Sequence, residues 1–138
     1  EQGFRNAIAG ADKAIVVSTP EVSAIRDADR IIGLLEASDL RDIHLIINRL
    51  RPDMIARGDM MSVDDVTEIL AVDLIGTILD DEQIVIATNQ GEPLSGKSSQ
   101  AEEEYRNICQ RIIGENVPFM NIAERKSFFR KIGNMFRK

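Results

Sequence analysis

The chain alternates short apolar runs with longer segments in which apolar residues recur at helical spacing. Apolar runs at 14–17, 45–47 and 74–79 predict three β-strands. The first two runs are continuous, which is typical of strands that are buried on both faces of a parallel sheet. Helical spacing predicts helices over 2–11 and from residue 18 to about residue 38.

This alternation predicts βαβ units, and therefore an α/β fold with a parallel, helix-flanked sheet. At 138 residues the chain has the length of one domain that can bury a core. Three strands are fewer than the roughly five or six of an average sheet. The predicted sheet is therefore about half complete.

A serine followed three residues later by an acidic residue marks the start of three predicted helices, because the two side chains can cap the first turn. The pairs are Ser18 with Glu21, Ser62 with Asp65, and Ser99 with Glu102. Gly114 marks the end of the last of these helices. Residues 51–61 are predicted to form a polar loop, and residues 83–88 either a short strand or one helical turn.

The helix that starts at Ser99 carries a broad apolar stripe, which is expected to pack on the sheet. The stripe consists of Ala101, Tyr105, Ile108, Cys109, Ile112 and Ile113. Cys109 is the only cysteine, so an internal disulfide is excluded, and its place on the stripe predicts a buried thiol rather than a nucleophile. His44, the only histidine, is predicted to be packed or solvated rather than catalytic.

The charge is divided unevenly along the chain. The net charge is -6, but residues 125–138 hold six basic residues and no acidic one, so the other 124 residues carry -12. A body of this charge would repel phosphates, which argues against nucleic acid as a partner. We therefore divide the chain into a body (1–114), a linker (115–121) and a basic tail helix (122–138).

The tail is strongly amphipathic when it is drawn as a helix. Its apolar side chains share one arc of about 120°, and they are Phe128, Phe129, Ile132, Met135 and Phe136. Its polar face is basic, with Lys126, Arg130 and Lys131, while Arg125 falls within the apolar arc. This pattern predicts an interfacial helix that binds an anionic membrane surface, weakly as one copy and more tightly as a pair. A C-terminal helix packed on the body is the alternative.

Residues 91–98, GEPLSGKS, match the pattern GxxxxGK[ST] of a phosphate-binding P-loop. In such a loop backbone N–H groups surround the phosphates and the lysine reaches the terminal ones. We interpret the match as a coincidence, because Glu102, Glu103 and Glu104 place negative charge where a phosphate would bind. No later strand is predicted that could complete a sheet around the loop. A small kinase that uses this segment is the alternative.

Four segments and the tail together carry a resemblance to a known family. They are AIVVSTPEVSAIRDADR at 14–30, LIINRLRPDM at 45–54, RGDMMSVDDV at 57–66, NQGEP at 89–93 and the basic amphipathic tail. On these residues the chain resembles the MinD family, the septum-site-determining members of the MinD/ParA group of deviant P-loop ATPases. The resemblance extends over 1–138 and looks like the C-terminal half of that fold, which is the C-terminal part of a parallel P-loop-type sheet followed by an amphipathic helix.

The resemblance implies a full-length ATP hydrolase of the cytoplasm that binds ATP and Mg²⁺, forms an ATP-dependent homodimer and docks peripherally on the inner face of the cell membrane. It also implies recruitment of the division inhibitor MinC, and release by MinE in many bacteria. The P-loop of the family and its signature lysine lie upstream. This chain alone is therefore not expected to hydrolyse ATP, and no catalytic or metal-ligating residue is assigned to it.

The resemblance also assigns individual positions. The nucleotide side is assigned to Asn48, Arg49, Asp80 and Asp81, and Leu79 stands where the family often has proline. The dimer and partner side is assigned to Glu1, Asp27, Asp29 and Asn89. The membrane surface is assigned to Arg125, Lys126, Phe128, Phe129, Arg130, Lys131, Ile132, Met135 and Phe136.

Related functions remain open at the level of sequence. A ParA-type ATPase should carry basic DNA-binding residues on its body, which the charge of -12 argues against. A flagellar-number-regulating ATPase also uses a membrane tail, and only a partner such as MinC separates it from the first interpretation. A non-enzymatic membrane-binding adaptor is a further alternative from a different functional class.

Overall fold

The computed structural model describes residues 2–96 and 99–119. The strands are β1 (Lys13–Ser18), β2 (Asp42–Leu50) and β3 (Asp73–Leu79). The helices are α1 (Gln2–Ile8), α2 (Val22–Ala37), α3 (Pro52–Arg57), α4 (Val63–Leu70), α5 (Glu82–Gln90) and α6 (Gln100–Ile112). The three predicted strands and the α/β class are confirmed. Glu1 and the predicted tail helix lie outside the described residues.

The three strands form a parallel sheet in the order β1-β2-β3. β1 pairs with β2 in one uninterrupted register, from Lys13 opposite Asp42 to Ser18 opposite Ile47. The pairing of β2 with β3 is interrupted between Ile47 and Leu50. Because all strands are parallel, their carboxyl ends lie at the same edge of the sheet, where α/β folds bind ligands.

One face of the sheet packs against α2 and α4. α2 buries a stripe at helical spacing that consists of Ile25, Ala28, Ile32 and Leu35. The strand side of this core includes Leu45, Ile47 and Leu50, which are all 0% exposed. The continuous apolar run of β2 is therefore buried as predicted.

α6 packs on the other face, directly over β3. Ile108 makes the main contact between this helix and the sheet, and it is buried with Ile46 and Ile78. A Cβ atom built on Gly76 of β3 would lie only 2.1 Å from Cγ1 of Ile108. The helix can approach this closely because residue 76 has no side chain.

The prediction that β1 is buried on both faces is wrong. Val16 is buried, but Ile15 and Val17 on the opposite face are 42% and 58% exposed. β1 lies at one edge of the three-stranded sheet, and α6 packs on β3 at the other edge. Within the described residues, the β1 part of that face is therefore left open.

The predicted apolar stripe of α6 is also wrong in part. Ala101 and Ile108 are buried, but Tyr105, Ile112 and Ile113 are exposed. Cys109 is exposed as well, so its thiol is not buried. Only a narrow face of α6 meets β3, and the buried residue next to Ile108 on that face is the charged Glu104, which is 2% exposed.

Two of the three predicted helix starts are confirmed by side-chain caps. Ser62 and Asp65 form a reciprocal capping box at the start of α4, and Ser99 caps α6 by accepting from the Glu102 N–H. Ser18 does not cap α2, which starts after Glu21 without a side-chain cap. The predicted polar loop contains the short helix α3, and residues 83–88 lie within α5. None of the described helices is long and apolar enough to cross a membrane.

Candidate functional site

A cleft of about 790 Å³ opens at the carboxyl ends of the strands, and we call it the strand-end cleft. Arg49 and Asp80 approach it from the ends of β2 and β3, and Glu21 and Arg51 add further charge. The apolar lining consists of Val22, Met54, Ile55, Met60 and Met61. An apolar wall with a few charged groups at its rim is the usual composition of a small-molecule site.

Arg49 is positioned by an unusual backbone conformation. Its φ is +59°, in the left-handed region, where the pairing of β2 with β3 is interrupted. The Asn48 side-chain Oδ1 accepts from the Arg49 N–H at 2.9 Å, which supports the turn. The Arg49 Nε then lies 3.4 Å from Oδ1 of Asp80. This kink brings together two residues that the family resemblance assigned to one site.

The other two assigned residues do not line the strand-end cleft. Asn48 lines a neighbouring groove of about 710 Å³ that runs beside β1. Asp81 has a structural role, because its carboxylate accepts hydrogen bonds from the Gln83 N–H at 2.9 Å and from the Ala101 N–H at 3.2 Å. It thereby joins the starts of α5 and α6.

The segment around α3 supplies much of the cleft and was missed by the sequence analysis, which predicted a loop there. Pro52 at the first helical position and Gly58 just past the end, with φ +77°, are a recognisable helix signature that could have revealed it. Met54 and Ile55 of this helix face the strand-end cleft. Val22 at the start of α2 is 58% exposed and also lines the cleft.

Two arginines hold α3 and its carboxylate in an ion-pair network. Asp53 Oδ2 lies 3.4 Å from Nη1 of Arg57 and 3.5 Å from Nη2 of Arg51. Burial raises the pKa of Asp53, but its own backbone hydrogen bond and the two arginine charges outweigh this effect, so the pKa is lowered overall. These groups are about half exposed, so the pairs orient the segment rather than contribute much stability.

Asp65 places a fixed negative charge at the side of the strand-end cleft. The Ser62 hydroxyl and the Ser62 backbone N–H both donate to it, and these bonds lower the pKa of the carboxyl. Asp65 is thus ionised near neutral pH and held by the start of α4. The cleft therefore has a mixed rim, with arginines near β2 and carboxylates near α4.

This composition fits one end of a nucleotide. Apolar side chains can pack on a flat base, and Arg49 and Asp80 can exchange hydrogen bonds with the base or ribose. Residues 91–96 follow helix α5 rather than the strand that precedes a P-loop. Within 2–96 and 99–119, no three histidine, cysteine or acidic side chains converge as a metal site. The residues of the strand-end cleft therefore fit the base and ribose of a nucleotide.

Of the residues assigned to the dimer and partner side, Glu1 lies outside the described residues and the other three lie on two helices. Asp27 and Asp29 are exposed on α2, and Asn89 is exposed in the last turn of α5. Positions two apart on a helix point in directions about 160° apart, so the two aspartates do not share one face. Asp27 lines the groove beside β1.

Comparison with known proteins agrees with the resemblance drawn from the sequence. The chain is 53% identical over 123 residues to the septum site-determining protein MinD of Synechocystis, covering 88% of this chain and 46% of that protein. It is 46% identical over 139 residues to MinD of Bacillus subtilis, covering 99% of this chain and 52% of that protein. The chain belongs to the MinD family.

The structural comparisons agree with this assignment. The MinC:MinD cell division protein complex of Aquifex aeolicus matches with a TM-score of 0.84 at 43% identity, covering 88% of this chain and 50% of that one. MinD of Pyrococcus horikoshii complexed with Mg-ADP matches with a TM-score of 0.66 over 78% of this chain and 44% of that one, and at 20% identity this likeness concerns the fold alone. No protein-family model matches. The chain spans about half the length of its MinD relatives.

Proposed function

We propose that this chain is the part of a MinD-type septum-positioning ATPase that binds the base and ribose of the nucleotide and carries the membrane anchor. The main support is the pairing of Arg49 with Asp80 at the rim of the apolar strand-end cleft, in a chain of the MinD family. The full-length protein dimerises in an ATP-dependent manner, docks on the inner face of the cell membrane and helps place the division septum.

In this proposal each cleft residue has a binding role. The planar Arg49 guanidinium packs against the base, while the Asp80 carboxylate accepts from a base or ribose donor. Val22 and the methionines of the cleft exclude water from one side of the ring. Bound ATP and Mg²⁺ supply the phosphoryl chemistry, and the upstream half of the protein provides the groups that hold the phosphates.

The body also offers a surface to protein partners. The family resemblance points to MinC, to a second copy of the protein and, in some bacteria, to MinE. The related protein of Aquifex aeolicus forms a complex with MinC, which supports MinC as the first partner to test. Glu1 and the exposed Asp27, Asp29 and Asn89 are the body residues assigned to this role.

The basic tail docks the protein on the membrane. Each lysine or arginine near an anionic leaflet contributes about 1 kcal/mol, so the six basic residues of 125–138 favour attachment to such a surface. Two tails of a dimer bind more tightly than one, because insertion of the second tail is effectively intramolecular. ATP-dependent dimerisation thereby controls membrane residence.

The nucleotide role is tested by replacing Arg49 in the full-length protein. We expect Arg49→Ala to weaken the binding of both ATP and ADP by about tenfold, since one charged group that contacts the ligand is lost. Titration calorimetry with the two nucleotides measures the effect. Arg41→Ala is the matched control, because this exposed arginine precedes β2 at the opposite edge of the sheet, is paired with Asp39 and does not line the cleft. Equal losses in both variants, or none in Arg49→Ala, would refute the assignment.

A further inference from the structure

Arg111, near the end of α6, holds the chain that follows it. Its Nη1 donates to the Ile75 carbonyl of β3 at 2.9 Å. Its Nε and Nη2 donate to the carbonyls of Val117 at 2.9 Å and Pro118 at 3.1 Å. Its Cζ lies 4.0 Å from the centre of the Phe119 ring. One side chain therefore ties β3 to residues 115–119, which we call the exit strap.

The end of α6 directs the exit strap back toward Arg111. Gly114 has φ +91°, a conformation that glycine adopts without a steric penalty. The Gly114 N–H donates to the Arg111 carbonyl at 3.0 Å, and the Glu115 N–H donates to the Gln110 carbonyl at 2.9 Å. The chain thus reverses within two residues, and the next carbonyls come within reach of the guanidinium.

α6 is attached to β3 at two points that lie seven residues apart on the same side of the helix. The buried Glu104 accepts from the Leu79 N–H at 2.7 Å, at the end of β3 next to the strand-end cleft. Arg111 binds the carbonyl of Ile75, toward the opposite end of β3. The exit strap is therefore held at the end of the sheet that is remote from the cleft.

We propose that Arg111 is a positioning residue that fixes the point from which the C-terminal basic tail leaves the body. The consequence for membrane attachment rests on the proposed function of the tail. The planar fork of arginine donates to three carbonyls while its face stacks on a ring, which the point charge of lysine cannot do. If the strap were released, its five residues would lengthen the tether between body and tail by up to about 17 Å.

The attachment of the exit strap is tested first with a fluorescent reporter in the full 138-residue chain. The chain contains no tryptophan, so Phe119→Trp introduces a single indole beside Arg111, where stacking of a cation on the ring is retained. We expect Arg111→Ala and Arg111→Lys to increase quenching of the indole by acrylamide about threefold, because the ring becomes solvated.

Arg106→Ala is the matched control for this experiment. Arg106 lies on the same helix but is paired with Glu102 and points to solvent, so its loss should leave the quenching unchanged. Far-UV circular dichroism of each variant establishes that the body is folded. Unchanged quenching in a folded Arg111→Ala variant would overturn the proposed attachment.

The positioning role is tested with a dye on Cys109, which is the only cysteine and is exposed close to Arg111. Energy transfer to acceptor lipids is measured in vesicles of phosphatidylglycerol and phosphatidylcholine, at lipid concentrations that bind all of the protein. We expect Arg111→Ala and Arg111→Lys to lower the transfer efficiency by about half, because the tether lengthens. Arg106→Ala should keep it. A general loss of stability would not produce this pattern in fully bound, folded protein.

The two experiments separate this inference from the proposed function. Unchanged energy transfer in vesicle-bound Arg111→Ala overturns the positioning role and leaves membrane docking intact. If the unsubstituted chain does not bind the vesicles at all, membrane docking by the tail is refuted and the positioning role falls with it. In that case the quenching experiment still decides whether Arg111 anchors the exit strap.

Discussion

Arg49 has a strained backbone conformation and lies near the end of β2, at the strand-end cleft. A non-glycine residue in the left-handed region costs roughly 1–2 kcal/mol, and the Asn48 side chain offsets part of this cost by binding the Arg49 N–H. The ion pair with Asp80 is largely exposed and contributes little stability of its own. The kink therefore serves to direct the guanidinium toward the cleft rather than to stabilise the fold.

At the same scale, Gly76 is required by the packing of α6. We expect Gly76→Ala to lower the free energy of unfolding by about 1–3 kcal/mol, because its Cβ would overlap Cγ1 and Cδ1 of Ile108. Urea unfolding measures the change. Adding Ile108→Ala removes both atoms, so the double variant should lose less than the sum of the two single losses.

The control for this prediction is Gly33→Ala within α2. No atom lies within 4 Å of a Cβ built on Gly33, so this substitution should stabilise the helix by roughly 0.5–1 kcal/mol. Equal effects of the two alanines, or additivity with Ile108→Ala, would show that close packing is not the reason for glycine at position 76.

At the scale of elements, the capping box of α4 should give a stability that depends on pH. The pKa of Asp65 is lowered by the Ser62 hydroxyl and N–H in the folded protein. The carboxylate therefore stabilises the fold above its unfolded pKa, near pH 4, and this contribution is lost as the pH falls through the lower folded pKa. We expect the difference in urea midpoint between wild type and Asp65→Asn to be largest at neutral pH and to shrink toward pH 2.

Asp64→Asn removes one negative charge from the same helical turn without touching the bonds to Ser62, and it is the control for this prediction. A difference between wild type and Asp65→Asn that stays constant from neutral to acidic pH would contradict the role of the ionised cap. The same would follow if Asp64→Asn reproduced the pH dependence.

The three strands and the start of α4 agree with the local sequence pattern. Ser18 and Glu21 have the same spacing as Ser62 and Asp65 but do not cap α2, so spacing alone does not determine a cap. Ile15 and Val17 are exposed because nothing among the described residues covers that face of β1. The spacing of apolar residues along the strand carries no information about such a covering element. Arg49 and Asp80 are 31 residues apart in the chain, and they were assigned to one site only through the family resemblance.

Two charged residues of α6 have structural roles that the sequence pattern did not indicate. The apolar stripe predicted for α6 does not include Glu104 or Arg111, because periodicity counts apolar positions only. Both bind backbone groups of β3. Their spacing of seven residues, beside Ile108, is the signal that could have identified them.

At the scale of the whole molecule, the two edges of the described sheet differ. α6 contributes charged side chains to the backbone of β3, whereas β1 has exposed apolar side chains on one face. The chain spans about half the length of its MinD relatives. A sheet that is covered at β3 and open at β1 leaves room beside β1 for the upstream half that the proposed function requires.

The last prediction concerns catalysis by the 138-residue chain on its own. We expect no ATP hydrolysis above background, because the strand-end cleft fits a base and ribose, while residues 91–96 follow a helix instead of the strand that a P-loop requires. Phosphate release is measured with and without Mg²⁺. Lys97→Ala serves as the decisive comparison. Hydrolysis by the unsubstituted chain that disappears in Lys97→Ala would show that residues 91–98 bind phosphate. The proposal that an upstream half provides the groups that hold the phosphates would then be wrong.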